Sequence, residues 1–311
     1  MNTKKMANIF GKLLMTISIV FIIFKLANYK DDIINNINLK SIIIVIFSSF
    51  AYGGLVYCLP FIYLNLIKII TGKSVPYRTV AYIYCKSSLY KYIPGNVMQY
   101  VGRNQLAINE ELSHLDVAMA TIAEISITII SAFLVAFIFS FTYAIEWYKN
   151  IKISLSIVYI MLILLVIFVI ALFLLRKIIA KRFKTYFKLL TTKNLKIYVL
   201  LNLFNMLVLI LDALLFLLVL WSIGGKLNFS GNIAAIGLFS FSFLLGYITP
   251  GVPGGIGVRE AVLSYFFSQL VGTATILSGA VFFRTVSILG DLTAYFISLL
   301  VTRKNCSKTD T

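Results

Sequence analysis

Two stretches of the sequence place helix-breaking residues beside a cation within otherwise apolar surroundings. The first, at 92–103, reads YIPGNVMQYVGR, and the second, at 250–259, reads PGVPGGIGVR. Both contain Pro-Gly followed by seven residues and an arginine, Arg103 in the first and Arg259 in the second. Proline ends an incoming helix, and glycine lets the backbone turn and approach a ligand closely. Because a guanidinium can donate two parallel hydrogen bonds to a phosphate group, the pattern predicts a site for a phosphate-like anion.

The second break has a further feature that favours an anion. A helix that restarts near Gly257 is expected to present free backbone N–H groups and the positive end of its dipole toward the break. Glu260 directly follows Arg259, however. An alternative interpretation is therefore that Arg259 only pairs with an acid and that the glycines allow tight helix packing.

Four more ionisable residues lie inside apolar segments, where charges usually face a cavity or a partner. Glu124 is interpreted either as a proton or amine site or as the structural partner of a basic residue near the first break. Asp212, which lies among leucines, favours a structural ion pair. Arg284 and Asp291 are seven residues apart, so they share a helix face but are too distant to pair directly. The single histidine, His114, is expected in a solvated loop.

The composition places this chemistry in a membrane. The 311 residues are 60% hydrophobic and 13% charged, whereas a soluble domain carries roughly 25% charged residues. The mean hydropathy is +0.95. Segments 41–67 and 153–175 contain no charge and exceed the length of about 20 residues needed to cross a bilayer. We therefore predict a polytopic membrane protein in the cytoplasmic membrane.

The net charge of +17 does not point to nucleic acid, because of where the charge lies. Eight basic residues and no acid occupy 176–196, between two apolar runs. Such a segment is typical of a cytoplasmic loop. It is also the longest stretch outside the apolar segments, so no soluble domain of transferase size is expected.

The fold class predicted is all-α, with six transmembrane helices and two broken hairpins in one integral membrane domain, 1–311. The two apolar segments interrupted by Pro-Gly are 79–107 and 231–271. If each enters the bilayer and returns, both termini and the basic loop fall on the cytoplasmic side. The spans predicted are 9–27, 41–67, 116–144, 153–175, 197–221 and 273–301, followed by a cytoplasmic tail at 302–311.

This topology contains a repeat. The order span, hairpin, span occurs first in 41–144 and again in 197–301, with the hairpins entering from opposite sides. Many transporters are built from such inverted repeats and bind their substrate at the interface between them. Non-helical backbone at membrane depth is tolerated where protein or a water-filled cavity satisfies it. Each break is therefore predicted to lie at a site.

Three parts of the sequence resemble the lysylphosphatidylglycerol synthase transmembrane-region family: KYIPGNVMQYVGR at 91–103, the acid Glu124, and PGGIGVREAVL at 253–263. That family includes the flippase half of the bacterial multiple peptide resistance factor and stand-alone flippase-like proteins. The resemblance extends over about 9–301. Many relatives are expected to have arginine after the acid, whereas this chain has Ile125. The resemblance implies these substrate-binding residues: Lys91, Pro94, Gly95, Arg103, Glu124, Gly254, Gly255, Gly257, Arg259, Glu260 and Arg284.

The leading functional hypothesis is a non-enzymatic, flippase-like transporter of an anionic or phosphate-bearing lipid. The substrate would be a modified phospholipid or a polyprenyl-linked sugar, and membrane lipids would be the main partners. One alternative is a membrane scaffold that binds enzymes of polysaccharide or glycolipid assembly in the cell envelope. The other is an intramembrane lipid-modifying enzyme, which the absence of a nucleophile–base pair from the sequence disfavours. No cofactor and no metal are expected, since the three cysteines lack metal-ligand spacing.

Overall fold

The computed structural model describes residues 38–92, 97–108, 112–150, 192–249 and 252–306. Three predicted elements therefore lie wholly or largely outside the described residues. They are the spans 9–27 and 153–175 and the basic loop 176–196. The described residues contain only helices and their connections, so the all-α fold class is confirmed for them.

Nine α-helices and two short 3-10 turns make up the described part of the chain. The helices are α1 (Leu39–Cys58), α2 (Pro60–Thr71), α3 (Tyr77–Ser88), α4 (Met98–Ile108), α5 (His114–Asn150), α6 (Thr192–Ser222), α7 (Phe229–Ile248), α8 (Val258–Val271) and α9 (Thr273–Cys306). The first 3-10 turn, Leu89–Tyr92, follows α3, and the second, Pro253–Gly255, precedes α8.

Polar caps and a proline set several of these helix ends. The Asn38 side chain accepts a hydrogen bond from the Ser41 backbone at 2.8 Å and so begins α1. Asn228 caps α7 in the same way, through the Gly231 N–H at 2.7 Å. Pro60 cannot donate a backbone hydrogen bond, and α1 and α2 meet at this residue within one long apolar segment.

Five segments among the described residues are long and apolar enough to cross a membrane: Leu39–Thr71, His114–Ser140, Asn194–Ser222, Phe229–Ile248 and Thr273–Thr302. Four of them coincide with predicted spans. The fifth is α7, which is the first arm of the predicted hairpin 231–271. The protein is therefore a multi-pass integral membrane protein.

The two broken segments differ in the lengths of their arms. At 1.5 Å per residue, α3 and α4 are about 18 Å and 17 Å long, too short to cross a bilayer. These lengths suit the predicted hairpin 79–107. In the second segment α8 is about 21 Å long, whereas α7 reaches about 30 Å. Only the second arm of that segment is too short to span.

The helix contacts repeat when the two halves of the chain are exchanged. The first half comprises α1 to α5 and the second half α6 to α9. The last helix of the first half, α5, packs against α6 and α7 of the second half, and the last helix of the second half, α9, packs against α1 and α3 of the first half. The second arms α4 and α8 each pack on the helix that follows them. The two 3-10 turns contact each other, so the two breaks meet inside the protein. Two repeats related by a pseudo-two-fold axis would make equivalent contacts of this kind.

Close packing of α1 against α9 brings the halves together. A Cβ atom on Gly53 would collide with Thr293, and one on Gly290 would collide with Tyr52. Small residues of this kind let membrane helices approach closely. Around α6, the buried aromatic side chains Phe216, Phe239, Phe267 and Phe283 form the core of the second half. The fold thus fixes both breaks around one central space.

Candidate functional site

A central cavity of about 180 Å³ lies between the two breaks. It is lined from the first half by residues of α1, α3, α4 and α5, and from the second half by residues of α6, α7, α8 and α9. Its volume is sufficient for several water molecules. Of the charged side chains named as site residues, Lys91, Arg103, Glu124, Arg259 and Arg284 all line it. Glu260, the other charged side chain named as a site residue, is not part of this lining.

Arg103 and Glu124 form a buried ion pair on the first-half side of the cavity. Arg103 Nη1 bonds Glu124 Oε2, and Tyr84 donates a hydrogen bond to Glu124 Oε1 at 2.7 Å. The guanidinium also lies over the Tyr84 ring, 4.0 Å from its centroid. The Arg103 side chain is only 3% exposed. Of the two interpretations of Glu124, the structure matches the structural partner of a basic hairpin residue.

Glu260 bonds Arg284 rather than its neighbour Arg259. Arg284 Nη2 and Nε donate to Glu260 Oε1 at 2.5 Å and 3.1 Å. Glu260 Oε2 accepts from the Gly257 backbone N–H at 2.6 Å. The predicted anion site at the start of α8 is thus corrected in part, because Glu260 itself supplies an anion to this helix terminus.

The third ion pair joins the first break to α9. Lys91 Nζ lies 2.7 Å from Asp291 Oδ2, and Tyr92 donates a hydrogen bond to the same oxygen. The side chain of Asp291 is fully buried, whereas that of Lys91 is 23% exposed. Lys91 therefore has its charge balanced by protein, and it connects the first 3-10 turn to the second half.

Arg259 differs from the other three cations of the cavity. Among the described residues, no carboxylate lies within ion-pair distance of it. Its guanidinium lies 5.3 Å from the ring centroids of both Phe239 and Phe243. Cation–π contact of this kind orients a guanidinium without neutralising it. The alternative interpretation that Arg259 only pairs with a nearby acid therefore finds no such pair among the described residues.

The glycines of the second break create the space that the Arg259 side chain occupies. A Cβ atom on Gly246 would stand 2.6 Å from Arg259 Cγ, and one on Gly255 would stand 3.1 Å from Arg259 Cδ. Gly254 and Gly255 adopt positive φ angles of 56° and 70°, which side-chain-bearing residues rarely take. The Gly254 carbonyl accepts a hydrogen bond from Arg284 Nη1 at 3.3 Å. The backbone and the side chains of this break are therefore packed as one unit.

The environment of Asp212 differs from the one that the sequence led us to expect. We expected a structural ion pair, but Asp212 Oδ1 is buried and has no hydrogen-bond partner among the described residues. Asp212 lines the cavity, as does Asn205, two helical turns earlier on α6. The Asn205 side-chain nitrogen Nδ2 is likewise buried and finds no hydrogen-bond partner in the described part of the chain. One face of α6 thus presents two unsatisfied polar groups to the cavity.

Some predicted site residues lie outside the description, and some contributors to the cavity were missed. Pro94 and Gly95 are outside the described residues, as are Pro250 and Gly251. Gly257 caps α8 rather than facing the cavity lining. The tyrosines Tyr84, Tyr92, Tyr100 and Tyr247 were not predicted, although all four line the cavity. Tyrosine is frequent throughout this chain, so its type alone carried no signal.

Two further features limit the chemistry that the site offers. In the described part of the chain, no group of three or more His, Cys, Asp or Glu residues is arranged to hold a metal ion. His114 is the first residue of α5 and is exposed, where its ring nitrogen contacts Asn104. The polar groups of the described cavity lining are thus guanidinium, ammonium, carboxylate, phenol, hydroxyl and amide.

These observations define a class: a helical, multi-pass membrane protein with a charged cavity between the first and second halves of its described residues. The sequence profile of the family described as Lysylphosphatidylglycerol synthase TM region matches residues 100–294. This match covers more than half of the chain, and the chain belongs to that family. The matched range is narrower than the 9–301 over which the sequence resemblance was stated. It includes Arg103, Glu124 and the second break, whereas Lys91, Pro94 and Gly95 precede it.

Searches among curated proteins and among solved structures found no match for the chain.

Proposed function

We propose that this protein moves an anionic or phosphate-bearing lipid between the leaflets of the cytoplasmic membrane. The single observation that carries the proposal is the state of Arg259. It lines the central cavity, and among the described residues it lacks an acid partner, whereas Lys91, Arg103 and Arg284 each have one. The guanidinium N–H groups of an arginine in this state are available to donate hydrogen bonds to a phosphate oxygen.

The position of the cavity supports movement rather than binding alone. Two related halves surround it, and each contributes one broken segment. In transporters built from repeats, rocking of one half against the other exposes a central site to the two sides in turn. The headgroup would pass through the polar cavity while the acyl or prenyl chains remain in the surrounding hydrocarbon. Membership of the family also fits a transport role without catalysis.

The charges of the cavity support a headgroup substrate over an entirely apolar one. Within the described residues, three pairs balance each other and keep the polar lining in place. The remaining cation would then determine which lipids bind, since an unpaired charge at membrane depth is costly until a ligand neutralises it. The lipid would be a modified phospholipid or a polyprenyl-linked sugar, and both termini of the protein would lie in the cytoplasm.

The test is lipid exchange by purified protein in liposomes that contain fluorescently labelled phosphatidylglycerol. Arg259→Ala is expected to slow exchange by about 10- to 150-fold, because a charge-assisted hydrogen bond contributes roughly 1.5–3 kcal/mol. Arg259→Lys keeps the charge but loses the fork, so an intermediate rate is expected. Dithionite quenching of the outer-leaflet label measures the rate.

Lys226→Ala is the matched control, since it removes one positive charge from an exposed loop position between α6 and α7. Its exchange rate should equal that of the unmodified protein. If Arg259→Ala also exchanges lipid at the unmodified rate, the phosphate site is wrong. If no variant, including the unmodified chain, accelerates exchange above protein-free liposomes, the protein is not a transporter of this lipid and a scaffold role is favoured.

A further inference from the structure

The unpartnered carboxylate of Asp212 is the second unusual charge in the cavity. Asp212 is 8% exposed, and its Oδ1 atom has no hydrogen-bond partner among the described residues. Burial of an ionised carboxylate is costly unless a cation or hydrogen-bond donors compensate it. A carboxylate in this position must therefore take up a proton or have its charge offset by a nearby cation.

The groups around Asp212 determine which of these occurs. From α8 it faces Arg259, the unpaired cation, and from the first 3-10 turn and α9 it faces Lys91 and Asp291, which pair with each other. The helices packed against α6 contribute further titratable side chains: Tyr52 from α1, Tyr63 from α2, Glu124 from α5, Tyr247 from α7 and Arg284 from α9. Glu124 and Arg284 are already paired. Among the described residues, Arg259 is thus the remaining cation near Asp212.

Charge balance then links the two residues. Among the described residues, the cavity lining contains four cations and three acids, and Glu260, which pairs with Arg284 behind the lining, is the fourth acid. Three cations and three acids form the ion pairs of Lys91, Arg103 and Arg284, which leaves Arg259 and Asp212. If Asp212 is ionised, it offsets the charge of Arg259, and an incoming phosphate meets a neutral site. If Asp212 is protonated, the site carries one net positive charge at Arg259. A bound anion and a proton on Asp212 therefore favour each other reciprocally.

We propose that Asp212 binds a proton together with the anionic headgroup at Arg259, so that lipid and proton cross in the same direction. This inference rests on the proposed function, and it supplies the energy source for that function. Proton and phosphate anion together carry no net charge, so their joint movement follows the pH gradient. The lipid should accumulate in the leaflet that faces the more alkaline side.

The experiment uses purified full-length protein in liposomes with labelled phosphatidylglycerol and a pH difference of one unit. At one proton per lipid, a tenfold proton ratio is expected to produce up to a tenfold ratio of label between the leaflets. Protein-free liposomes with the same gradient correct for passive redistribution. Label that equilibrates quickly but evenly in the presence of the gradient would overturn the proton coupling and leave lipid transport intact. No acceleration of exchange would instead contradict the proposed function.

The Asp212→Asn variant tests whether Asp212 is the residue that carries the proton. The variant is expected to exchange lipid but to show a leaflet ratio near one under the gradient, since its amide cannot carry a proton. Asp212→Glu should retain the gradient response. A persistent leaflet ratio in Asp212→Asn, or complete loss of exchange in a folded Asp212→Asn protein, would overturn the assignment. The same holds if Asp212 proves necessary for exchange of phosphatidylethanolamine but not of phosphatidylglycerol, because Asp212 would then bind the amine.

Discussion

The two broken segments carry the same Pro-Gly and arginine spacing, yet their arginines reach opposite electrostatic states. Arg103 in the first segment is buried and neutralised by Glu124 on the following helix. Arg259 in the second segment lies 5.3 Å from the centroids of two phenyl rings, without an acid partner among the described residues. The helix that follows this segment supplies Arg284 to Glu260, while its acid, Asp291, pairs with Lys91. Among the described residues, Arg259 is thus left without an acid partner.

The difference shows that a repeated motif does not repeat its chemistry. Each half contains one ion pair between the second arm of its broken segment and the next helix, but the polarity of that pair is reversed. In the first pair, Glu124 also accepts a hydrogen bond from the Tyr84 hydroxyl, which ties the pair to α3. The second pair holds the break together through Gly254 and Gly257. Among the described residues, the first half is therefore the closed half, because its arginine Arg103 is neutralised. The second half leaves Arg259 available to a ligand.

The largest expected effect comes from removing the arginine of the closed half. Arg103→Ala would leave Glu124 buried without its cation, so the free energy of unfolding should fall by about 3–5 kcal/mol. Arg284→Ala should cost less, because the Arg284 side chain is 20% exposed whereas that of Arg103 is 3% exposed. Arg259→Ala should cost least of the three. Thermal unfolding of the purified variants in detergent, followed by circular dichroism, measures this order. Equal losses for Arg103→Ala and Arg259→Ala would remove the distinction between the halves.

A smaller effect is expected from filling the space beside Arg259. Gly246→Ala places a methyl group 2.6 Å from Arg259 Cγ, and overpacking of this kind costs about 1–3 kcal/mol. The displaced guanidinium should also slow lipid exchange. Gly54→Ala is the matched control, because a Cβ atom there meets no atom within 4 Å. Liposome exchange and thermal unfolding of both variants test the prediction, which is wrong if the two alanine substitutions behave alike.

The smallest effect concerns the contact between the two broken segments themselves. The hydroxyl groups of Tyr100 on α4 and Tyr247 on α7 form a hydrogen bond of 2.9 Å. Tyr100→Phe and Tyr247→Phe should each lower the free energy of unfolding by about 0.5–1.5 kcal/mol. Since both remove the same bond, the double variant should lose little more than either single one. Strictly additive losses in this cycle would show that the bond does not connect the halves.

Particular residues show how far sequence reasoning reached into the site. Lys91, Arg103, Glu124, Arg259 and Arg284 were selected from type and position, and all of them line one cavity. Charges inside apolar segments are costly and usually face a cavity or a partner, so residue type and position drew attention to these residues. Their role in binding a substrate stays a prediction. The ion pair expected for Asp212 is not found among the described residues, since pairing depends on which helix faces α6. The free helix terminus expected at Gly257 was also corrected, because the neighbouring Glu260 side chain turns back to cap it.

The sequence by itself determined the membrane setting, the positions of the breaks and the set of charged residues. Hydropathy, proline and glycine act locally along the chain, so their effects can be read without knowing which helices meet. Only the tertiary structure decided which charges of the described cavity neutralise one another and which two of them remain. Arg259 and Asp212 lie 47 positions apart in the sequence numbering, on different helices. Their meeting at one cavity depends on long-range packing of the two halves, and no local pattern encodes that packing.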